Sequence, residues 1–180
     1  MEEIHEANGK VKIVVTGPES SGKSSLATWL AQQFNFPVVP EFSREYLNSL
    51  GRTYEHHDLD EIAEGQIKNE NKAQKRASII ICDTSLEVIK IWSMYKYNTC
   101  SSFILEHYQN RPADLYLLMA PDIPWTPDPL RENPDDREQL FKLFQQELKT
   151  GSAKVVEIFG TFPERKEKAS QAIKQLLFKD

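Results

Sequence analysis

The residues Gly17-Pro18-Glu19-Ser20-Ser21-Gly22-Lys23-Ser24 match the pattern G-x-x-x-x-G-K-[ST] without a gap. They stand between two segments of opposite character. Upstream, the β-branched run Val11-Lys12-Ile13-Val14-Val15-Thr16 reads as a short buried parallel strand. Downstream, residues 24–34 place Leu26, Trp29, Leu30 and Phe34 on one stripe of a helix. Strand, glycine loop and helix in direct succession leave few folds open, because the loop's N–H groups and the helix N-terminus then converge on an anion. A glycine-rich turn arising by chance would lack both flanks. The motif therefore implies ATP with Mg²⁺: Gly17, Glu19, Ser20, Ser21, Gly22, Lys23, Ser24 and Ser25 cradle the phosphates, Lys23 bridges β and γ, and the Ser24 hydroxyl ligates the metal.

Beyond the loop, strand and helix patterns alternate. Val38-Val39 reads as a second strand, followed by a short helix from Glu41 that ends near Gly51. Asp58 is the expected N-cap of a long helix reaching about Arg76. The apolar run Ser78-Ile79-Ile80-Ile81-Cys82-Asp83 is a central strand ending on a carboxylate, and helical patterns cover 85–97 and 101–109. A strand at 115–119 runs into a loop punctuated by Pro121, Pro124, Pro127, Pro129 and Pro134, too irregular for an element and long enough for a mobile lid. A helix from about Pro134 to Leu148, a strand at 154–159 and an amphipathic helix at 163–178 follow. These patterns predict an α/β fold of three layers, with about five parallel strands joined by right-handed crossovers. The expected organisation is a polar leader over 1–10 and a single domain over 11–180 with its lid at about 121–137.

Charge narrows the partners. A net charge of -5 argues against nucleic acid, which requires a patch of Lys and Arg. The densest basic stretch, Arg165-Lys166-Glu167-Lys168, reads as a solvated helix face. No segment approaches the ~20 apolar residues of a membrane span, and Met1-Glu2-Glu3-Ile4-His5-Glu6 is no secretion signal. Cys82 and Cys100 do not make a disulfide framework, so a reduced, cytosolic setting is expected, with monomer and homo-oligomer both open. The pair His56-His57 lacks the further ligands of a metal site.

Several side chains fall where ligands of such sheets bind, at the C-terminal strand ends. Asp83 suits a magnesium shell or a general base, although an ordinary helix N-cap would also place an acid there. Arg131 and Arg137, in and after the proline-rich loop, suit neutralisation of a transferring phosphoryl group; surface ion pairs with Glu132, Asp135 or Asp136 are the equal alternative. Glu41, Arg44 and Glu45 follow the second strand and could hold substrate hydroxyls, or form a charged helix face. Trp92, Tyr95 and Tyr97 could stack on a ring or join the core.

With these residues in view, the chain resembles the ribosylnicotinamide kinase domain of the bacterial NAD-biosynthesis regulators and related stand-alone P-loop kinases. The likeness runs from about Lys12 to the last helix. It rests on the glycine loop, Glu41-Phe42-Ser43-Arg44-Glu45-Tyr46, Cys82-Asp83-Thr84, and Pro124-Trp125 through Asp128, Leu130, Arg131, Asp136-Arg137 and Phe141. It implies a nucleoside-kinase-like fold and phosphorylation of the 5′-hydroxyl of nicotinamide riboside. Lys23, Asp83, Arg131 and Arg137 then serve catalysis, and Glu41 and Arg44 bind the acceptor. Gly160-Thr161-Phe162 corresponds to the turn bordering adenine. Two positions depart from the family pattern: Ser85 stands where a second acid is common, and Pro40 where an aromatic precedes the Glu motif. Trp125 or Trp92 is the expected substitute for that ring, which an aromatic face would favour if cationic. Neither a helix-turn-helix segment nor an HxGH motif occurs, so the resemblance is to the kinase domain alone. A kinase for another nucleoside or small alcohol, and a nucleotide-dependent switch that binds a protein, stay open beside it.

Overall fold

In a computed structural model that describes residues 9–132 and 135–178, five strands form one parallel sheet. They are β1 (Val11–Thr16), β2 (Val38–Val39), β3 (Ile79–Asp83), β4 (Leu115–Met119) and β5 (Lys154–Ile158), in the order β2-β3-β1-β4-β5. The helices are α1 (Lys23–Phe34), α2 (Phe42–Leu50), α3 (Asp58–Gln74), α4 (Leu86–Tyr97), α5 (Ser102–Asn110), α6 (Arg137–Leu148) and α7 (Phe162–Leu177). The expected three-layer α/β fold is thus observed. Most of the expected leader, residues 1–8, lies outside the described residues, as does Pro134, where the sixth helix was expected to begin.

Both faces of the central strands are covered, which is why they read as unbroken apolar runs rather than alternating ones. Along β1, Val14 faces a core shared with α3, α4 and α6, whereas Ile13 and Val15 face one shared with α1 and α7. Along β3, Ile80 and Cys82 face the first core, and Ile79 and Ile81 the second. Helix α1 buries Leu26, Ala27, Leu30 and Ala31, so the stripe is rotated from the expected one and leaves Trp29 and Phe34 half-buried. Among the described residues no helix is long and apolar enough to cross a membrane.

Register places the functional ends together. Val15 pairs with Asp83 across β1 and β3, and the Thr84 N–H donates to the Val15 carbonyl at 3.0 Å. The two strands therefore end flush, with the glycine loop leaving one and the carboxylate closing the other. Gly17 is required where the loop leaves: its φ is +132°, and a Cβ there would lie 2.6 Å from the Met119 carbonyl oxygen of β4.

Asp58 does not cap its own helix, contrary to expectation; His57 holds the cap position. Its carboxylate, 0 % exposed, instead gathers the α2–α3 connection, accepting from the Glu55 N–H at 2.7 Å, the Tyr46 hydroxyl at 2.7 Å and both terminal nitrogens of Arg52 at 2.7 and 2.8 Å. The Arg52 guanidinium holds this carboxyl well below the usual carboxylate range. A depressed carboxyl stabilises the fold above its unfolded pKa of about 3.9 and loses that contribution as pH falls through the folded value. Asp58→Asn should therefore cost about 2 kcal/mol at neutral pH, with a smaller penalty under strongly acidic conditions. Urea melts of both proteins at neutral and acid pH check this, and an equal penalty at both would refute the ionic role.

Candidate active site

The loop's shape follows from three residues in left-handed conformations, Gly17, Ser20 (φ +55°) and Gly22 (φ +83°). Ser21 steadies the turn by donating from its hydroxyl to the Pro18 carbonyl at 2.7 Å. Gly22 occupies the α1 N-cap with no side chain to accept from the first turn, so those N–H groups stay available to an anion. Lys23 donates to the Pro18 carbonyl at 2.7 Å. Burial pushes its ammonium below the ordinary lysine value, against the opposing pull of Glu41, Asp83 and Glu19. A phosphate oxygen is a stronger, charge-assisted acceptor than that carbonyl. Ser24 and Ser25 lie exposed at the start of the helix.

Arg165 is the principal residue that the sequence reading missed. The expected solvated face is corrected here: Arg165 is 2 % exposed. It donates to the Ser21 carbonyl of the loop at 2.7 Å, to the Gly160 carbonyl at 2.7 Å and to the Ala120 carbonyl at 3.3 Å, and pairs with Asp122. One planar guanidinium thus fastens the loop to the ends of β4 and β5. Its spacing to Ala169, Ala172 and Ile173, all buried, is the available signal, since 165, 169, 172 and 173 lie on one helical stripe. The Gly160-Thr161-Phe162 turn precedes it: Gly160 (φ +91°) donates its N–H to Asp122 at 2.6 Å, and Thr161 forms a capping box with Glu164.

Asp83 is 7 % exposed, and burial raises its carboxyl above the ordinary range, against a lowering hydrogen bond from Ser24. Its Oδ1 has no hydrogen-bond partner among the described residues. A buried carboxylate oxygen beside a hydroxyl suits Mg²⁺, which takes one or two protein oxygens and completes its shell from phosphate and water. ATP and Mg²⁺ therefore fit the residues present.

A cavity of about 130 Å³ opens beside the loop. Glu41, Ser43, Arg44 and Leu47 of the α2 region form one wall, Val88 and Trp92 of α4 a second, and Leu140 and Phe144 of α6 a third. Glu41 accepts the Ser43 hydroxyl at 2.7 Å and also lines a second depression with Asp83, Arg44 and Arg131. Trp92 and the core residue Phe144 are thus the aromatics of this cavity, while Pro40 is exposed at the second depression.

The proline-rich segment expected to form a lid lies against the loop. Arg131 donates to the Ser20 hydroxyl at 3.3 Å and to the Thr126 carbonyl, and Arg137 donates to the Ser20 carbonyl at 3.3 Å and the Ile123 carbonyl at 3.0 Å. Trp125 packs against both guanidinium groups, each 5.8 Å from its ring centre, outside the residues that line the cavity. Arg44 meets Asp128 at 3.0 Å, and the Glu132 N–H donates to Glu19 at 3.0 Å. Both arginines converge on one loop serine.

Ser85 points away from the cavity. Its hydroxyl donates to Glu70 at 2.5 Å, in a buried group where Lys12 meets Glu70 at 3.4 Å and the Arg111 carbonyl at 2.7 Å. The Ser85 N–H donates to Glu87, which is wholly buried and raised by that burial to about 7. A second acid at position 85 would thus lie against Glu70.

A phosphate-binding loop at the end of β1 and a carboxylate at the end of β3, in a parallel sheet, define a P-loop α/β protein. Its sequence matches the family described as AAA domain over residues 12–165, and the chain belongs to that family. The relationship read from the sequence holds: the chain is 28% identical over 153 residues to the trifunctional NAD biosynthesis/regulator protein NadR of Salmonella typhimurium, spanning 81% of this chain but only 37% of that protein. Among solved structures it is similar to NadR in complex with NR (TM-score 0.77, 19% identity, 93% of this chain and 52% of that one). It also matches thymidylate kinase from Ehrlichia chaffeensis (TM-score 0.67, 16% identity, 92% and 99%).

Arg165→Lys keeps the charge but loses the fork that reaches several carbonyls. It should lower stability by about 2 kcal/mol and weaken ATP binding about tenfold. Thermal melts and titration with a fluorescent ATP analogue test this; unchanged affinity in a destabilised protein would make Arg165 a structural residue only.

Proposed function

We propose that the chain is a single-domain, ATP- and magnesium-dependent kinase acting in the cytosol, whose acceptor is the 5′-hydroxyl of a nucleoside, foremost nicotinamide riboside. The observation that carries this reading is a walled cavity that joins the phosphate loop to an aromatic side chain and shares Ser24, Glu41, Arg44 and Arg131 with the second depression, which Asp83 lines. A phosphate site alone would serve any nucleotide switch; an acceptor pocket facing it serves transfer.

Asp83 takes the proton of the acceptor hydroxyl, its raised carboxyl lying nearer the working pH than an ordinary aspartate. The hydroxyl oxygen bonds to the γ-phosphorus as the bond to the β–γ bridging oxygen breaks, and ADP leaves. Lys23 holds the β- and γ-phosphates, and Ser24 and Asp83 would hold the metal. Magnesium, when bound, neutralises charge on the β- and γ-oxygens. Arg131 and Arg137, carried by the lid, balance charge on the transferring group and exclude water. Glu41 and Arg44 bind ribose hydroxyls, and Trp92, rather than a ring at position 40, stacks on the base. Trp125 then acts from outside the cavity, bracing the two arginines.

A second reading, a kinase for another nucleoside, draws on that displaced aromatic and on the likeness in fold to thymidylate kinase. Coupled ADP release with a panel of nucleosides separates the two. Nicotinamide riboside should give the highest kcat/KM, and release no greater than with water, while another nucleoside reacts, would move the assignment to that acceptor. Hydrolysis indifferent to every acceptor would instead favour a switch.

Lys23→Ala should reduce transfer by about 10²-fold or more with the fold intact. Circular dichroism and ADP release on the same preparation check it, and retained activity would remove the loop lysine from the mechanism.

A further inference from the structure

Two carboxylates, Glu41 and Asp83, line the second depression, which Glu41 joins to the walled cavity, and they belong to segments that are distant in sequence. Glu41 precedes the first residue of α2, and Asp83 closes β3. Between these segments lies the side chain of Gln66 on α3, 2 % exposed and outside both depressions. Its Oε1 accepts the Phe42 N–H at 3.0 Å, and its Nε2 donates to the Thr84 carbonyl at 3.3 Å. Phe42 follows Glu41 directly, and Thr84 follows Asp83.

Each of these partners needs what Gln66 supplies. The Phe42 N–H is an orphan donor at the start of α2, and Glu41, in the cap position, makes no side-chain cap. Because Gln66 caps the helix from outside, Glu41 keeps its carboxylate for the depression. Thr84 adopts a left-handed conformation (φ +63°), uncommon for a branched residue and sustained only by its surroundings. Its N–H is held by Val15, and its carbonyl by Gln66. One partner is a donor and the other an acceptor, so the bridge requires an amide: ionised glutamate only accepts, lysine only donates, and methionine does neither. The helix also approaches closely here, since a Cβ on neighbouring Gly65 would fall 2.0 Å from the Phe42 ring.

We propose that Gln66 is a positioning residue that fixes the spacing of Glu41 and Asp83 across the acceptor site, an inference that rests on the kinase reading above. Its loss acts on the acceptor half-reaction while the phosphate loop, held by Arg165, keeps its place.

Gln66→Met and Gln66→Glu test this beside the parent protein. Parent activity is scored first: no acceptor-dependent ADP release from the parent would overturn the kinase reading by itself. Given an active parent, Gln66→Met should lower kcat by about tenfold or more and raise the acceptor KM, with the KM for ATP unchanged. Unchanged kcat and acceptor KM, or an equal rise in both KM values, would overturn the proposal. Gln66→Glu keeps shape and acceptor but donates to Thr84 only when protonated, and it faces the buried Glu70, which lies 3.5 Å from the Gln66 Nε2 and is itself paired with Lys12 and Arg111, so its kcat relative to the parent should rise as pH falls. A flat ratio would overturn it, and this variant decides if Gln66→Met does not fold. Hydrogen exchange reads the bridge independently of turnover: in Gln66→Glu at neutral pH the Thr84 amide, whose carbonyl loses its donor, should exchange faster while the Phe42 amide stays protected by the retained acceptor, and in Gln66→Met both should exchange faster; unchanged Thr84 protection in Gln66→Glu, or unchanged protection of both in Gln66→Met, would refute the bridge.

Discussion

The flush pairing of β1 with β3 is the constraint on which the site depends. Val15 opposite Asp83 brings a glycine loop and a carboxylate from separate strands to one end of the sheet. Parallel strands cannot be joined by a tight turn, so each crossover carries a helix back over a face. Those helices bury both faces, and the C-terminal edge remains as the place where polar side chains can converge. Chemistry and packing are thereby separated: the strands are aliphatic because they are buried twice over, and the functional groups sit at their C-terminal ends or just beyond.

Beneath that edge lies a second polar layer that lines neither the cavity nor the second depression. Lys12, Glu70, Ser85 and Arg111 form a buried group in which each charge meets an opposite charge or a carbonyl. Burying such charges without partners would be costly. Together the network holds the β3–α4 turn from below while β1 holds it from the side, and the strained Thr84 persists because its backbone groups are held on both flanks. Glu87, raised by burial, is the member whose charge is least supported, since its Oε2 lacks a partner among the described residues.

The sequence disclosed what depends on local pattern. Strand–loop–helix at the glycine motif, the aliphatic run into Asp83 and the alternation of elements all follow from periodicity and are all observed. The convergence of Arg131 and Arg137 on Ser20 was foreseen in neither of the two readings given to these arginines, because pairing across more than a hundred residues leaves no local mark. Asp58 was misread for a related reason: an acid at a helix start predicts a cap, and only the folded chain shows Arg52 and Tyr46 competing for it. Arg165 was concealed by composition, since a guanidinium in a basic stretch looks solvated until its stripe is matched to buried alanines. Gln66 gave no signal, because its partners are backbone groups that any sequence possesses.

Arg165 carries a consequence for the order in which the protein comes into being. The guanidinium and the Ser21 carbonyl it holds are 144 residues apart, so the loop is completed by a helix that is made much later. At ribosomal rates of about 5–20 residues per second, the loop is synthesised many seconds before its brace. During that interval the first strand and its loop exist without the contact that fixes them, and long-range closure must precede any firm grip on nucleotide. The finished loop is thus tied to synthesis of α7, and a nascent chain not yet extended through that helix would carry the motif without its brace.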